Sequence, residues 1–127
     1  MLKIKELSVH EFIVEEAIDY LRDHGFSEIY ANLPGFPQPE KIISRNRRMS
    51  FIPDIIAQRQ GDTYLFAVET GDLFIDGPVA RKWKEFSSYA DKNDMTFHIV
   101  VSRGRLKKVD ALLTKLGITA VVHQVLQ

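Results

Sequence analysis

The sequence SFIPDIIAQRQGDTYLFAVETG, residues 50–71, decides the fold of this chain. It holds two apolar runs, rich in β-branched and aromatic residues, on either side of Gly-Asp at positions 61–62, and this pattern is typical of a β-hairpin. With that dipeptide as the turn, Asp54 lies directly opposite Glu69. Directly opposed residues share one face of the sheet, with Cβ atoms about 4.5–5.5 Å apart. The hairpin therefore predicts two carboxylates side by side among apolar neighbours.

Two like charges in that position repel each other and are poorly hydrated. A bound cation, a shared proton that raises one pKa, or an open rim where water reaches both groups would relieve the conflict. The first outcome predicts an oxygen-lined Mg²⁺ or Mn²⁺ site at Asp54 and Glu69. The alternative is that both carboxylates end their strands near solvent and have no role. A register slip of one residue would send one carboxylate to the other face.

Composition bounds the class of protein. The chain has 127 residues, of which 45% are hydrophobic and 27% charged, and this predicts one soluble globular domain over residues 1–127. Its formal net charge is zero, so a nucleic-acid partner would need a local basic patch. Cysteine is absent, which excludes disulfides and thiolate zinc sites. No apolar run is long enough to span a bilayer and the first residues do not resemble a signal peptide, so we expect a cytoplasmic protein without a membrane partner.

The other segments place the hairpin in a mixed α/β domain. Both faces of the hairpin are apolar, and a sheet of that kind needs helices on each side. A later strand–helix–strand unit predicts parallel strands. The predicted order is αβββαβαβ, with helices over 8–24, 76–92 and 104–116, strands over 26–33, 95–101 and 118–125, a loop over 34–39, and a further strand beginning within 41–48.

Two basic groups flank the hairpin in sequence. Arg45, Arg47 and Arg48 precede it, and Arg81, Lys82 and Lys84 lie on the helix that follows it. The first group indicates either a solvated sheet edge, where positive charge blunts strand pairing, or a set of phosphate contacts. The second group lies largely off the apolar stripe of its helix. Nucleic acid is therefore a candidate partner.

The pair Pro53-Asp54, followed by Glu69 on the next strand, resembles the PD-(D/E)xK superfamily of metal-dependent nucleases, and the element order resembles its restriction-endonuclease-like fold. The resemblance implies that Asp54, Glu69 and the carbonyl of Thr70 bind Mg²⁺ or Mn²⁺. The family carries a lysine two residues after the glutamate, where this chain has Gly71. Some members supply that lysine from the following helix.

In this chain the helical candidates for the missing lysine are Lys82 and Lys84. The first helix of the family often adds an acidic residue to the site, and Glu11 and Glu15 lie nearest that position. The resemblance thus names a catalytic set of Asp54, Glu69, Lys82 and Lys84.

Three functions follow from these residues. The first is a divalent-metal-dependent nuclease that hydrolyses phosphodiesters, with an active site that has departed from the family pattern. The second is a non-catalytic domain on a nuclease-like fold that binds nucleic acid or another protein. The third is an ordinary α/β domain in which the acidic residues are incidental. A second copy of the chain or a partner protein is a further candidate partner, and the sequence leaves DNA and RNA equally open as substrates.

Overall fold

In the computed structural model, which describes residues 8–44, 46–70, 73 and 77–125, the chain forms three helices and seven strands. This confirms the mixed α/β class; of the two short strands that the predicted order αβββαβαβ does not contain, one lies in the segment 41–48. Among these residues, no helix is both long enough and apolar enough to cross a membrane. The helices are α1 (Val9–Asp23), α2 (Pro78–Lys92) and α3 (Leu106–Leu116), and the strands are β1 (Ser27–Ala31), β2 (Ile42–Ile43), β3 (Ser50–Phe51), β4 (Ile55–Arg59), β5 (Asp62–Glu69), β6 (Met95–Ser102) and β7 (Val121–Val125).

A five-stranded mixed sheet with the order β1-β4-β5-β6-β7 forms the centre of the domain. Strand β4 is antiparallel to both β1 and β5, whereas β5, β6 and β7 are parallel. Helices α2 and α3 connect the parallel strands. Side chains of α1 pack into the core on one face of the sheet, and side chains of α2 and α3 pack into the core on the other. The prediction that both faces are covered is confirmed.

Helix α1 begins as its sequence predicts. The Ser8 hydroxyl accepts a hydrogen bond from the Glu11 amide, and the Glu11 carboxylate accepts one from the Ser8 amide, which forms a capping box. The apolar stripe of the helix is buried against the sheet, while Phe12 lies off the stripe and is exposed. This docking places His10 beside the start of β4.

The β4–β5 hairpin has the predicted faces but a different turn. Arg59 pairs with Asp62, so the turn residues are Gln60 and Gly61, both at positive φ, and the predicted Gly-Asp turn is wrong. Positive φ at both central positions is the type I′ geometry that suits the twist of a hairpin. The change moves the partner of every residue by two, and this keeps each side chain on its predicted face. Extending the ladder puts Ala67, not Glu69, opposite Asp54.

The first apolar run of the hairpin is divided between two sheets. Ser50 and Phe51 do not continue into β4; they pair with Ile43 and Ile42 in a separate two-stranded sheet. Strand β4 starts only at Ile55, because proline at position 53 has no N–H to donate to the ladder. The short strand predicted within 41–48 is thus β2, and it ends before the arginines.

Candidate functional site

The two predicted carboxylates lie at the same edge of the sheet. Asp54 directly precedes β4 and Glu69 is the last residue of β5, and these ends meet because the strands are antiparallel. Only 7% of Asp54 and 3% of Glu69 is exposed. Each therefore needs hydrogen-bond donors or a counter-charge within the protein.

Asp54 finds its donors on β5 and α1. Its Oδ2 accepts a hydrogen bond of 2.7 Å from the Val68 amide, a group that the ladder would otherwise match with Pro53. Its backbone carbonyl accepts from the Asn32 amide at 3.0 Å. The carboxylate thus replaces a missing strand partner. It does not stand opposite Glu69 as the sequence predicted, because the turn at Gln60 and Gly61 shifts the pairing by two residues.

His10, from the first turn of α1, completes the surroundings of Asp54. Its Nε2 lies 2.8 Å from Asp54 Oδ1, and its Nδ1 lies 3.4 Å from the hydroxyl of Thr70. The hydrogen bond to Asp54 raises the pKa of His10, against the opposing effect of partial burial. The imidazole side chain is 39% exposed, so it forms part of the accessible surface of the site.

Glu69 is held by two consecutive residues of α2. Its Oε2 accepts a hydrogen bond of 2.6 Å from the indole of Trp83, and Lys82 Nζ lies 3.1 Å from Oε1 and 3.0 Å from Oε2. Burial raises the pKa of Glu69, and the charge of Asp54 adds to this, while Lys82 and Trp83 act in the opposite direction. The ion pair with Lys82 is the main compensation for the buried charge.

The two candidate lysines lie on different sides of α2. Lys82 is 22% exposed and reaches Glu69. Lys84 is exposed and lines a groove with Ile43 and Lys92. Residues two apart on a helix point about 200° apart, so only one of them can face the end of β5. The structure brings Lys82, and not Lys84, to the carboxylates.

The remaining predicted residues that the structure describes lie on α1, on α2, after the end of β5 and in the turn between β2 and β3. The carbonyl of Thr70 accepts a long hydrogen bond of 3.5 Å from Arg105, at the start of α3. Arg47 and Arg48 are exposed on the turn between β2 and β3, and Arg81 is exposed on α2. Arg45 and Gly71 lie outside the described residues. Of the acidic candidates on α1, Glu11 caps the helix and Glu15 is exposed beside Arg22.

Sequence reasoning missed His10 and Trp83 as parts of this site. His10 lies on the apolar stripe of α1, where a histidine more often packs in the core or at its rim. The one signal was a polar residue interrupting that stripe in the first turn. Trp83 also lies on an apolar stripe, and the indole N–H that bonds Glu69 leaves no trace in the periodicity.

The donors at this edge match a hard divalent cation in chemical type. Two carboxylates and a backbone carbonyl supply the oxygen ligands that Mg²⁺ and Mn²⁺ take in proteins. Within residues 8–44, 46–70, 73 and 77–125, no three His, Cys, Asp or Glu side chains are placed to hold an ion together. A cation would therefore depend on Asp54, Glu69, the Thr70 carbonyl and water.

The site thus joins a buried acidic pair, one lysine and a partly exposed imidazole at the end of a mixed sheet. Such an arrangement can bind a cation or a phosphate group, and it can hold charge away from bulk water. Comparison of the chain with protein-family models, curated proteins and solved structures finds no match. Its function therefore rests on the geometry of this site.

Proposed function

We propose that this protein is a divalent-metal-dependent nuclease with a restriction-endonuclease-like fold, whose active site comprises Asp54, Glu69, Thr70 and Lys82. The observation that carries the proposal is the contact between Lys82 Nζ and the Glu69 carboxylate, at 3.0–3.1 Å. A lysine on α2 supplies a cation beside the acidic pair, in a chain that has glycine at position 71. In the resembling family this positive charge comes from a lysine two residues after the glutamate. In this protein Lys82 of α2 would take its place.

Each residue has a distinct role in this proposal. Asp54 and Glu69 bind the cation with the carbonyl of Thr70, and the bound Mg²⁺ or Mn²⁺ lowers the pKa of water and offsets negative charge. The Val68 amide and the Trp83 indole fix the two carboxylates in place. The ammonium group of Lys82 stabilises negative charge on the phosphate, in a partly dehydrated position where one charge has a larger effect than in water.

Nucleic acid is the substrate that the surrounding charges favour. Arg47, Arg48 and Arg81 are exposed, and a phosphodiester backbone is bound chiefly through such cations. The net charge of the chain is zero, so these residues act as a local patch. We retain these three arginines as proposed nucleic-acid contacts. Lys84 adds positive charge to the groove on α2 and not beside the carboxylates.

A second function is favoured by a specific feature of the site. Asp54 and Glu69 each have an intramolecular partner, His10 at 2.8 Å and Lys82 at 3.0 Å. The two acidic groups are therefore compensated by the protein's own residues. A domain that binds nucleic acid or a protein partner and does not cleave would keep these pairs as structural contacts.

Calorimetry with Mn²⁺ tests the proposed cation site directly. We expect the parent protein to bind the ion and Glu69→Gln to lose measurable binding, because a neutral amide is a poor ligand for a hard cation. Asp91→Asn removes an exposed carboxylate from α2. It serves as the control and should bind Mn²⁺ like the parent. Absence of Mn²⁺ binding by the parent protein would reject the nuclease proposal.

Nicking of supercoiled plasmid tests catalysis, with Lys82→Met compared against Lys84→Met. We expect Lys82→Met to retain Mn²⁺ binding and to lose about 100-fold or more in rate, whereas Lys84→Met stays within about twofold. Asp54→Asn checks for a contaminating nuclease. Metal binding without nicking in the parent protein would favour the non-catalytic function.

A further inference from the structure

Residues 41–44 and 46–52 form a two-stranded ribbon and its turn, the β2–β3 arm, which contributes no residue to the proposed active site. Its inner face is anchored: Ile42 is buried, and Phe51 packs edge-on against Phe86 of α2 with ring centroids 6.2 Å apart. Strands β2 and β3 pair only with each other in a sheet of their own. The arm is therefore fixed to α2 on one side, and its other side faces solvent.

The arm concentrates positive charge. Residues 41–52 contain four cationic residues and no acidic one, in a chain whose formal net charge is zero. Among the described cations of the arm, Lys41, Arg47 and Arg48 are all exposed. A patch of this kind attracts a polyanion through local potential, since the chain as a whole does not.

The turn of the arm holds its arginines in a defined position. Ser44 is buried and bonds the turn from within: its hydroxyl donates to Asn46 Oδ1 at 2.7 Å and accepts from the Met49 amide at 3.1 Å. Asn46 Oδ1 also accepts from the Arg48 amide at 3.0 Å. Arg47 has φ of 61°, a left-handed backbone conformation that is unfavourable for a non-glycine residue. The turn thus keeps an arginine where glycine would be more stable.

Large aliphatic side chains lie exposed beside these cations. Ile43 is 57% exposed, and Met49 and Ile52 are each 39% exposed. The described part of the chain has seven exposed large hydrophobic residues, and these are three of them. Apolar side chains flanked by arginine on a rigid ribbon are the combination with which proteins enter a nucleic-acid groove.

We propose that the β2–β3 arm binds double-stranded DNA, with Arg47 and Arg48 on the phosphates and Ile43, Met49 and Ile52 against the bases and sugars of a groove. The inference rests on the proposed function, to which it adds the class of substrate. It assigns recognition to the arm and hydrolysis to the carboxylate site.

Two features select duplex DNA over other nucleic acids. Sites for single strands stack bases on aromatic rings, whereas the one aromatic residue of the arm, Phe51, turns inward. A two-stranded ribbon fits the major groove of B-form DNA, while the major groove of duplex RNA is too narrow. An anionic membrane would also attract the cations of the arm, so vesicles are included in the test.

The arm and the carboxylate site share helix α2 as their support. Ile43 of the arm lines a groove of about 420 Å³ together with Lys84 and Tyr89 of α2. Lys82, half a turn away on the same helix, contacts Glu69. Helix α2 therefore supports both the arm and one wall of the site, on different sides.

The experiment measures fluorescence anisotropy of a labelled 20-base-pair DNA duplex in EDTA, with the full chain carrying Asp54→Asn so that cleavage cannot occur. The same sequence as single-stranded DNA and as duplex RNA, and vesicles containing anionic phosphatidylglycerol, are measured in parallel. We expect the DNA duplex to bind most tightly, with affinity that falls steeply as salt rises.

Two arm variants separate the charged from the apolar contribution. Arg47→Gly removes the cation, so the slope of log binding constant against log salt concentration should become smaller by about one. Glycine also suits φ of 61°, so Tm should be unchanged or higher. Ile43→Ser should weaken binding roughly threefold to tenfold while leaving the salt slope unchanged. Lys107→Glu, an equally exposed cation on α3, is the control and should bind more like the parent than Arg47→Gly does.

The outcomes distinguish this inference from the proposed function. Plasmid nicking by the parent protein together with unaltered duplex binding in both arm variants would overturn the role of the arm and leave the nuclease proposal standing. Duplex binding that depends on the arm, without nicking, would support the arm and reject catalysis. Preference for single strands, duplex RNA or vesicles would overturn the assignment to duplex DNA.

Discussion

Helix α1 brings polar side chains into two regions of the molecule, and the two regions treat charge in opposite ways. In its first turn His10 contacts Asp54, and this hydrogen bond raises the pKa of the imidazole. About three turns later Tyr20 contacts His123, which contacts His98. Burial lowers the pKa of both of these histidines. The helix therefore joins a charged cluster at the sheet edge to a neutral cluster in the core.

The neutral cluster is a chain of hydrogen bonds between side chains. Tyr20 Oη lies 3.1 Å from His123 Nδ1, and His123 Nε2 lies 2.7 Å from His98 Nδ1. An N–H···N bond needs one donor and one acceptor, so at most one of the two imidazoles can be charged, and the lowered pKa of each favours the neutral form. The charges that act on the pair are positive, from Arg59 and His24, and they add to the effect of burial.

The comparison shows that a carboxylate partner raises the pKa of His10 despite its partial burial, whereas burial lowers the pKa of His98 and His123. His10 has a carboxylate within 2.8 Å and remains 39% exposed, so it can be charged and can meet a ligand. His98 is 4% exposed, has a second imidazole as its partner, and lies near Arg59. We therefore assign chemistry to the edge and stability to the core cluster.

The largest expected effect is acid destabilisation through His98. Burial first, and then the charges of His123 and Arg59, lower the pKa of His98 to about 4. In the unfolded chain a histidine binds its proton near pH 6.5, so the unfolded state takes up more protons between pH 6.5 and pH 4. Stability therefore falls as pH drops through that window, by about 3 kcal/mol from this residue. Urea denaturation at pH 7 and pH 4.5 measures the loss.

His98→Asn removes the titrating group and should flatten this pH dependence, even if the variant is less stable at pH 7. His24→Asn, a change at the exposed histidine that directly follows α1, is the control and should alter the profile less than His98→Asn does. A variant at His98 with the same pH dependence as the parent would show that the core cluster does not govern acid stability.

The next effect concerns the charged cluster, where Lys82→Met leaves Glu69 without its counter-ion. We expect a loss of roughly 2 kcal/mol at pH 7, less than the ~3–5 kcal/mol of a fully buried pair because the side chain of Lys82 is 22% exposed. The pKa of Glu69 should rise further. Lys84→Met, at an exposed position on the same helix, should change the free energy of unfolding by less than about 0.5 kcal/mol.

The double variant Lys82→Met with Glu69→Gln sharpens this prediction. Removing both charges eliminates the unpaired carboxylate, so we expect the double variant to recover part of the stability lost by Lys82→Met alone. Urea denaturation of the four proteins closes the cycle. Strictly additive losses would mean that the two side chains do not interact in solution.

The fold was largely predictable because it follows from apolar patterning, whereas the register of the hairpin was not. There are two candidate turns, 60–61 and 61–62. Each side chain of β4 and β5 lies on the same face of the sheet with either turn. Hydrophobic alternation cannot choose between them, since the period of a strand is two. The choice depends on which residues adopt positive φ. Gln60 has φ of 53°, and glutamine is not a residue type for which the sequence predicts that conformation.

The site was predictable in its acidic residues and only partly in its basic ones. Asp54, Glu69 and the option of Lys82 followed from the sequence, because strand order and helix position bring them to one edge. The contact of His10 with Asp54 depends on how far α1 lies from the start of β4, a distance that no local pattern encodes. The indole of Trp83 was likewise invisible, because its ring satisfies the apolar stripe regardless of its N–H.

A smaller effect is expected from Tyr20→Phe in the core cluster. The change removes one hydroxyl and leaves His123 Nδ1 without that hydrogen bond, which should cost about 1 kcal/mol. Tyr30→Phe on β1 is the matched control, since Tyr30 is 46% exposed and its hydroxyl can bond to water. Equal stability of the two variants in urea would mean that the hydroxyl of Tyr20 does not stabilise the docking of α1.

The smallest change in stability, and the most direct test of the comparison, is Asp54→Asn. Asparagine can still accept from the Val68 amide and can donate to a neutral His10, so we expect a loss below about 1 kcal/mol. The charge that favours protonated His10 is removed, and the pKa of His10 should fall.

The sign follows from linkage. A raised pKa means that the contact with Asp54 stabilises the parent protein at low pH and that this stabilisation is lost as pH rises through the folded pKa of His10. An NMR titration of the imidazole protons measures the pKa of His10, with His98 as an internal reference that should not move. If His10 titrates in Asp54→Asn as it does in the parent, its partner carboxylate does not set its charge, and the distinction between the two regions of α1 fails.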